Sequence, residues 1–181
     1  LSGGKKEKIR HILHSARFRR EAKQDQPRMI YDQPRGRYSR TRKKYLEALR
    51  KASKQVILFS PYYFLDAQFL KALWKAKKRG VRVDLLIPLR TDLRLASYAA
   101  FAWFALLKKA GVRIHLLKKM MHGKGLIVDE DWAMIGSSNI DHPSFYHNYE
   151  ANIRLKDKRV VRNLKRIALR WIGSAHSLDD L

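Results

Sequence analysis

His122-Gly123-Lys124 opens the stretch of this sequence best equipped for chemistry. Four residues separate Lys124 from Asp129, and six more lead to Gly136-Ser137-Ser138-Asn139, giving the pattern H-x-K-x4-D-x6-G-S-x-N. An imidazole can attack phosphorus or protonate a leaving alkoxide, while an ammonium, a hydroxyl and an amide can hold phosphoryl oxygens; the set suits phosphodiester chemistry. His122 is the candidate reacting group. Lys124 supplies fixed positive charge where a pentacoordinate phosphoryl group gathers negative charge. Ser137 and Asn139 are candidate donors to phosphate oxygens, and Gly136 lets the backbone approach closely. Asp129, at the far end of the intervening segment, reads as a structural ion-pair or turn partner, with direct catalysis as the second option. Of the seven histidines only His122 has a lysine two residues later, so the chain carries one such motif.

These groups must be positioned by ordered elements. Gln55 to Ser60 is a short continuous apolar run of the kind that forms a buried strand, and a helical pattern follows from Asp66 to Arg79, closed by Gly80. Val81 to Ile87 is a second strand. A helix from Thr91 or Asp92 to Ala110 ends at Gly111, and Val112 to Leu117 is a third strand. Gly125 to Val128 and Trp132 to Ile135 are strands flanking the acidic turn Asp129-Glu130-Asp131, Asn148 to Leu155 is another, and Lys156 to Ile172 is a basic closing helix. The β-α-β-α-β order predicts an α/β fold with a mixed, mostly parallel sheet and helices on both faces. His122 and Lys124 stand at the head of one strand and Ser137 and Asn139 just after the next, so four polar groups are expected around one small concave site.

Composition bounds the partners. The chain has 181 residues, 45% hydrophobic and 31% charged, with 40 Lys and Arg against 16 Asp and Glu. A formal net charge of +24 favours a polyanionic partner, either nucleic acid or an anionic membrane surface. With no cysteine, disulfides and thiolate metal sites are excluded; no metal or other cofactor is expected. No run approaches the roughly 20 apolar residues needed to span a bilayer. Residues 1–54 hold 18 Lys and Arg against five acids and read as a basic N-terminal arm or linker, with helices near Lys6 to Arg20 and Thr41 to Lys54; residues 55–181 read as the domain. Leu95 to Leu107 is apolar nearly all round. It reads as a helix buried against the sheet, or as a surface dipping into lipid with Tyr98 and Trp103 flanked by Arg90, Arg94, Lys108 and Lys109.

The motif resembles that of the phospholipase D superfamily, whose members bring two such motifs to each active site. From about Arg28 to Leu155 the resemblance narrows to the C-terminal half of bacterial cardiolipin synthase-like proteins. It is carried by Ser60-Pro61-Tyr62-Tyr63-Phe64, Lys78-Arg79-Gly80-Val81, Ala110-Gly111-Val112-Arg113-Ile114, Gly136-Ser137-Ser138-Asn139-Ile140-Asp141 and Asn148-Tyr149-Glu150-Ala151-Asn152. The resemblance implies that Glu150 hydrogen-bonds the second nitrogen of the motif histidine. It also implies a metal-independent transfer in two steps through a phosphohistidine, with His122 the general acid and then the base. The expected function is a phosphatidyltransferase of cardiolipin synthase type, moving a phosphatidyl group between phospholipid alcohols, with this chain supplying the C-terminal half of the active site. The chain opens on Leu1 rather than methionine and reads as a piece of a longer protein. Its expected partners are anionic phospholipid at a membrane surface and a second motif, upstream in the same protein or on a homodimer mate; its expected place is the cytoplasmic face of the cell membrane, peripherally bound. The second-ranked reading is a phosphodiesterase acting on nucleic acid, and the third a polyanion-binding module without catalysis.

Overall fold

The computed structural model describes residues 26–34, 38–89 and 97–177. The expected helix near Lys6 to Arg20, Arg90, the cap at Thr91 or Asp92, and Arg94 lie outside the described residues, as does the side chain of Tyr98. Among the described residues the elements are β1 (Arg28–Asp32), α1 (Arg40–Lys51), β2 (Gln55–Phe59), α2 (Ala67–Lys78), β3 (Arg82–Pro88), α3 (Ser97–Lys109), β4 (Val112–Leu117), β5 (Gly125–Val128), β6 (Trp132–Gly136), α4 (His142–Tyr146), β7 (Glu150–Leu155), α5 (Lys158–Gly173) and β8 (His176–Ser177).

All the strands join one sheet in the order β1-β7-β6-β5-β2-β3-β4-β8. The expectation of a mostly parallel sheet needs correction, because among the described strands only β2–β3 and β3–β4 are parallel. Parallel neighbours require a long crossover, and α2 and α3 provide one between those strands alone. The turn at 129–131 can only reverse the chain, so β5 and β6 pair antiparallel, and β7, β1 and β8 extend the sheet antiparallel too. The mixed α/β class itself stands, with helices on both faces. Successive side chains of a strand alternate between faces. Val56 and Leu58 accordingly join Tyr45, Phe69, Leu73 and Leu107 in one core, while Ile57 and Phe59 join Ile127, Val161 and Ala168 in another under α5.

The boundary expected at residues 54 and 55 is also corrected. β1 is hydrogen-bonded along its length to β7, and α1 buries Tyr45, Leu46 and Leu49 in the main core. The described part of the basic segment therefore belongs to the same domain. Its start is pinned by Asp32 at the end of β1, whose carboxylate accepts from the amides of Arg40 (2.6 Å) and Thr41 (3.1 Å) and from the Ser39 hydroxyl (2.9 Å). A carboxylate at a helix N-terminus satisfies orphan amides and opposes the helix dipole.

Of the two arrangements open for the apolar helix, the described part of α3 is packed. Leu107 is fully buried, Phe104 stacks on Tyr63 with centroids 5.7 Å apart, and Trp103 Nε1 donates to the Tyr63 carbonyl at 2.9 Å. No helix among the described residues is long and apolar enough to cross a membrane.

Candidate active site

The site forms where the chain enters β5 and leaves β6, near the middle of the sheet. Lys124 is only 8% exposed, and its Nζ donates to the carbonyl of His122 at 2.9 Å, which ties the ammonium to the loop bearing the imidazole. Burial pushes the ammonium below the ordinary lysine value, and the carboxylates of Glu150 and Asp141 pull it back up. His122 itself is exposed. Gly136 N donates to the Lys124 carbonyl at 3.2 Å, joining the two parts of the motif. A side chain could not stand at Gly136: a Cβ would come within 2.3 Å of the Ala151 carbonyl and 2.4 Å of the Asn152 amide oxygen.

Glu150, at the start of β7, is brought to the same place. It is 7% exposed; its carboxylate accepts from the Ser137 hydroxyl and, at 3.4 Å, from Asn148 Nδ2. The resemblance implied a bond from Glu150 to the imidazole, but in the structure the carboxylate is met by Ser137 and Asn148. Ser137 Oγ also accepts from the Ala151 amide at 3.0 Å, so this hydroxyl braces Glu150 instead of standing free for a phosphate. Asn139 is held through its backbone amide, which donates to Ser144 Oγ at 3.1 Å, and its side-chain oxygen is buried without a partner. Buried polar atoms are nearly always paired, so an orphan here marks a place for a ligand donor or for an exchange of the amide's oxygen and nitrogen.

Asp129 does not join this group. It stands at the far end of β5, five residues from Lys124, about 16 Å along an extended strand. Its carboxylate accepts from the amides of Ser53 (3.0 Å), Lys54 (2.8 Å) and Gln55 (2.9 Å) and from the Ser53 hydroxyl (3.0 Å). These contacts favour the turn-partner reading of Asp129 over direct catalysis. Burial opposes its ionisation, but these hydrogen bonds outweigh burial and hold the carboxyl below its ordinary value. Asp129 also has a left-handed backbone, φ 53°. Replacing it by asparagine, which tolerates that conformation, should cost about 1–3 kcal/mol of stability at neutral pH. Because the folded carboxyl titrates below the unfolded one, this contribution is complete above the ordinary carboxylate range and fades as pH falls through the depressed value. Denaturant titrations of both proteins across pH 2 to 7 check it, and a stability gap that widens toward low pH would contradict the assignment.

Sequence reasoning assigned no role to several neighbours. Asn152, fully buried, donates to Thr41 Oγ1 (2.9 Å) and Ser138 Oγ (2.8 Å), fastening the loop after β6 to α1. Asp141 caps α4 by accepting from the Ser144 amide at 2.9 Å; burial raises its carboxyl, with the Glu150 charge adding to the effect and the Ser144 bonds opposing it. The Asp-x-Pro start of α4 was the available signal. Tyr45 is fully buried with an unpartnered hydroxyl, and burial first, then the nearby Glu150 charge, raises its ionisation above the ordinary range.

Residues 45–171 match the family described as cardiolipin synthase, PLD-like domain. The chain belongs to that family. Among similar proteins, cardiolipin synthase A of Buchnera aphidicola subsp. Schizaphis graminum is 32% identical over 135 residues, which is 74% of this chain and 28% of that protein. Cardiolipin synthase B of Shigella flexneri is 31% identical over 153 residues, 84% of this chain and 37% of that protein. The chain thus spans about a third of the length of these curated relatives. Two solved structures share the fold of this PLD-like domain. The phospholipase D family member Nuc from Salmonella typhimurium superposes with a TM-score of 0.68 at 22% identity, over 84% of this chain and 98% of that one. Phosphatidylserine synthase from Haemophilus influenzae gives 0.67 at 10% identity, over 84% and 40%.

Proposed function

We propose that this PLD-like domain supplies one half of a phosphatidyltransferase active site that moves a phosphatidyl group between phospholipid alcohols. The observation that supports it most is the junction of the motif's two parts, with buried Lys124 locked to the His122 loop and Glu150 braced by Ser137 beside it, in a chain of the cardiolipin synthase PLD-like family. The histidine of a second motif attacks phosphorus, a P–N bond forms, and the P–O bond to the leaving alcohol breaks as His122 gives that oxygen its proton. His122, now neutral, takes the proton of the incoming alcohol as its oxygen displaces the phosphohistidine. Lys124 and Asn139 hold the non-bridging oxygens through both steps, and Glu150 fixes the local charge that keeps Lys124 protonated. The second motif comes from the same polypeptide or from another copy of the chain, and the site works on anionic lipid at the cytoplasmic face of the membrane, without a metal.

A net charge of +24 favours a second reading, hydrolysis of nucleic acid. One assay separates the two. The domain assembled with its second motif is given phosphatidylglycerol vesicles and an excess of single-stranded or duplex DNA, with and without EDTA. The expected result is a diphosphatidyl product plus glycerol, DNA left intact, and an unchanged rate in EDTA. Cleaved DNA with no phosphatidyl transfer would replace the lipid reading, and EDTA inhibition reversed by a divalent ion would refute metal independence.

A further inference from the structure

On the α5 face of the sheet, next to the candidate site, lies a cleft of about 470 Å³. Its floor is a row of paired residues crossing neighbouring strands: Phe59 opposes Gly125, Gly125 opposes Ile135, Ile135 opposes Ile153, and Ile153 opposes Met29. Directly opposed residues project to the same face, so the row is apolar along its length, with the Phe59 ring and Ile135 closing over Gly125, where a Cβ would come within 2.6 Å of Phe59. The adjacent row, Ile57, Ile127, Ala133 and Leu155, is buried with the help of Val161 and Ala168 of α5. The first row is left partly open: Ile153 is 38% and Met29 65% exposed. Leu164, Ile167 and Trp171 of α5 form the wall, and Trp171 meets Phe59 edge-on with centroids 6.1 Å apart.

The end of the cleft identifies its occupant. There it is bounded by Gly123, Lys124 and Gly136, the segments that carry the motif, and among the described residues Lys124 is the single charged one in its lining. A ligand that fits is anionic at one end and hydrocarbon for the rest. The row spans four inter-strand steps, about 19 Å, the scale of a fatty acyl chain rather than of a headgroup. The outer wall agrees: α5 carries Lys158, Arg159, Arg162, Lys165, Arg166 and Arg170 and no acidic residue, the charge of a helix that meets anionic headgroups. We infer that this cleft receives one acyl chain of the phospholipid whose phosphodiester is held at His122 and Lys124. The inference rests on the lipid reading above and adds the place where the tail goes.

The chain is titrated with phosphatidylglycerols below their micellar concentrations, dihexanoyl against dioctanoyl, with glycerophosphoglycerol as the tail-free probe. Two added methylenes on one buried chain should tighten binding roughly tenfold. Dioctanoyl lipid brominated on the chain should quench fluorescence, and the quenching should disappear in Trp171→Phe. Ile153→Glu, a change at an accessible position, should abolish the chain-length gain while its melting temperature and its affinity for glycerophosphoglycerol stay the same. Equal affinities for all three probes, with phosphatidyl transfer intact in the assembled enzyme, would overturn the cleft assignment and leave the lipid reading standing. A change of oligomeric state in Ile153→Glu, seen by sedimentation, would overturn it in favour of a second copy on this face. DNA cleavage without any lipid binding would remove the lipid reading and the inference with it.

Discussion

His122→Ala should lower phosphatidyl transfer by the assembled two-motif enzyme by about four orders of magnitude or more, and leave its melting temperature unchanged. The rate follows from the proposed role: without the imidazole the departing alkoxide has no proton donor and the incoming alcohol no base, a loss at the upper end of general acid–base effects. The unchanged stability follows from the structure, because His122 is exposed and removing it opens no cavity. Lys124→Met, which preserves side-chain length in a position only 8% exposed, should cost about two to three orders of magnitude in kcat, as does loss of a major electrostatic stabiliser. Its effect should fall on kcat more than on KM, since the charge it meets develops in the transition state. Steady-state rates for both variants beside thermal melts provide the check. Near-normal turnover by His122→Ala would remove this histidine from the mechanism.

The chain by itself, verified as a monomer, should show no turnover. One imidazole cannot be joined to phosphorus and protonate the leaving alcohol in the same step, and the sequence contains one H-x-K motif. Activity should return only with a second motif. If that motif comes from another copy, specific activity rises with protein concentration, and a tenfold excess of His122→Ala chain suppresses the wild type by about the same factor, because nearly every wild-type chain is then paired with a defective one. If it comes from a different polypeptide segment, dilution and the defective chain have little effect and only the added segment restores the rate. Sedimentation and activity measured on the same samples decide the matter, and steady turnover by a monomer would sink the half-site proposal.

The motif and its strands were legible in the sequence because their signals are local. The apolar runs of β2, β3 and β5 and the helix stops at Gly80 and Gly111, whose φ angles are 81° and 82°, depend on residues within a turn or two. The spacing of His122 from Lys124, and of both from Asn139, was enough to name the chemistry.

What the tertiary structure decided is non-local. β1 lacks a distinctive pattern of its own and is a strand because β7, more than a hundred residues later, offers it an edge. α1 looked like part of a charged arm because six Lys and Arg surround the stripe of Tyr45, Leu46 and Leu49 that it buries. Strand direction depends on where a connection lands on the sheet, so the helices between β2 and β4 gave parallel pairing and the later turns reversed it. The fine roles at the site depended on the same kind of packing. Asp129 belongs to the motif by spacing, yet its hydrogen bonds go to the 53–55 segment, because a strand separates it from Lys124. Glu150 and Ser137 are thirteen residues apart, and pairing of β6 with β7 turns them into one hydrogen-bonded unit. Sequence thus determined which groups could act on a phosphodiester; the sheet order determined which of them stand together, because hydrogen-bonded strands place residues side by side without regard to their separation along the chain.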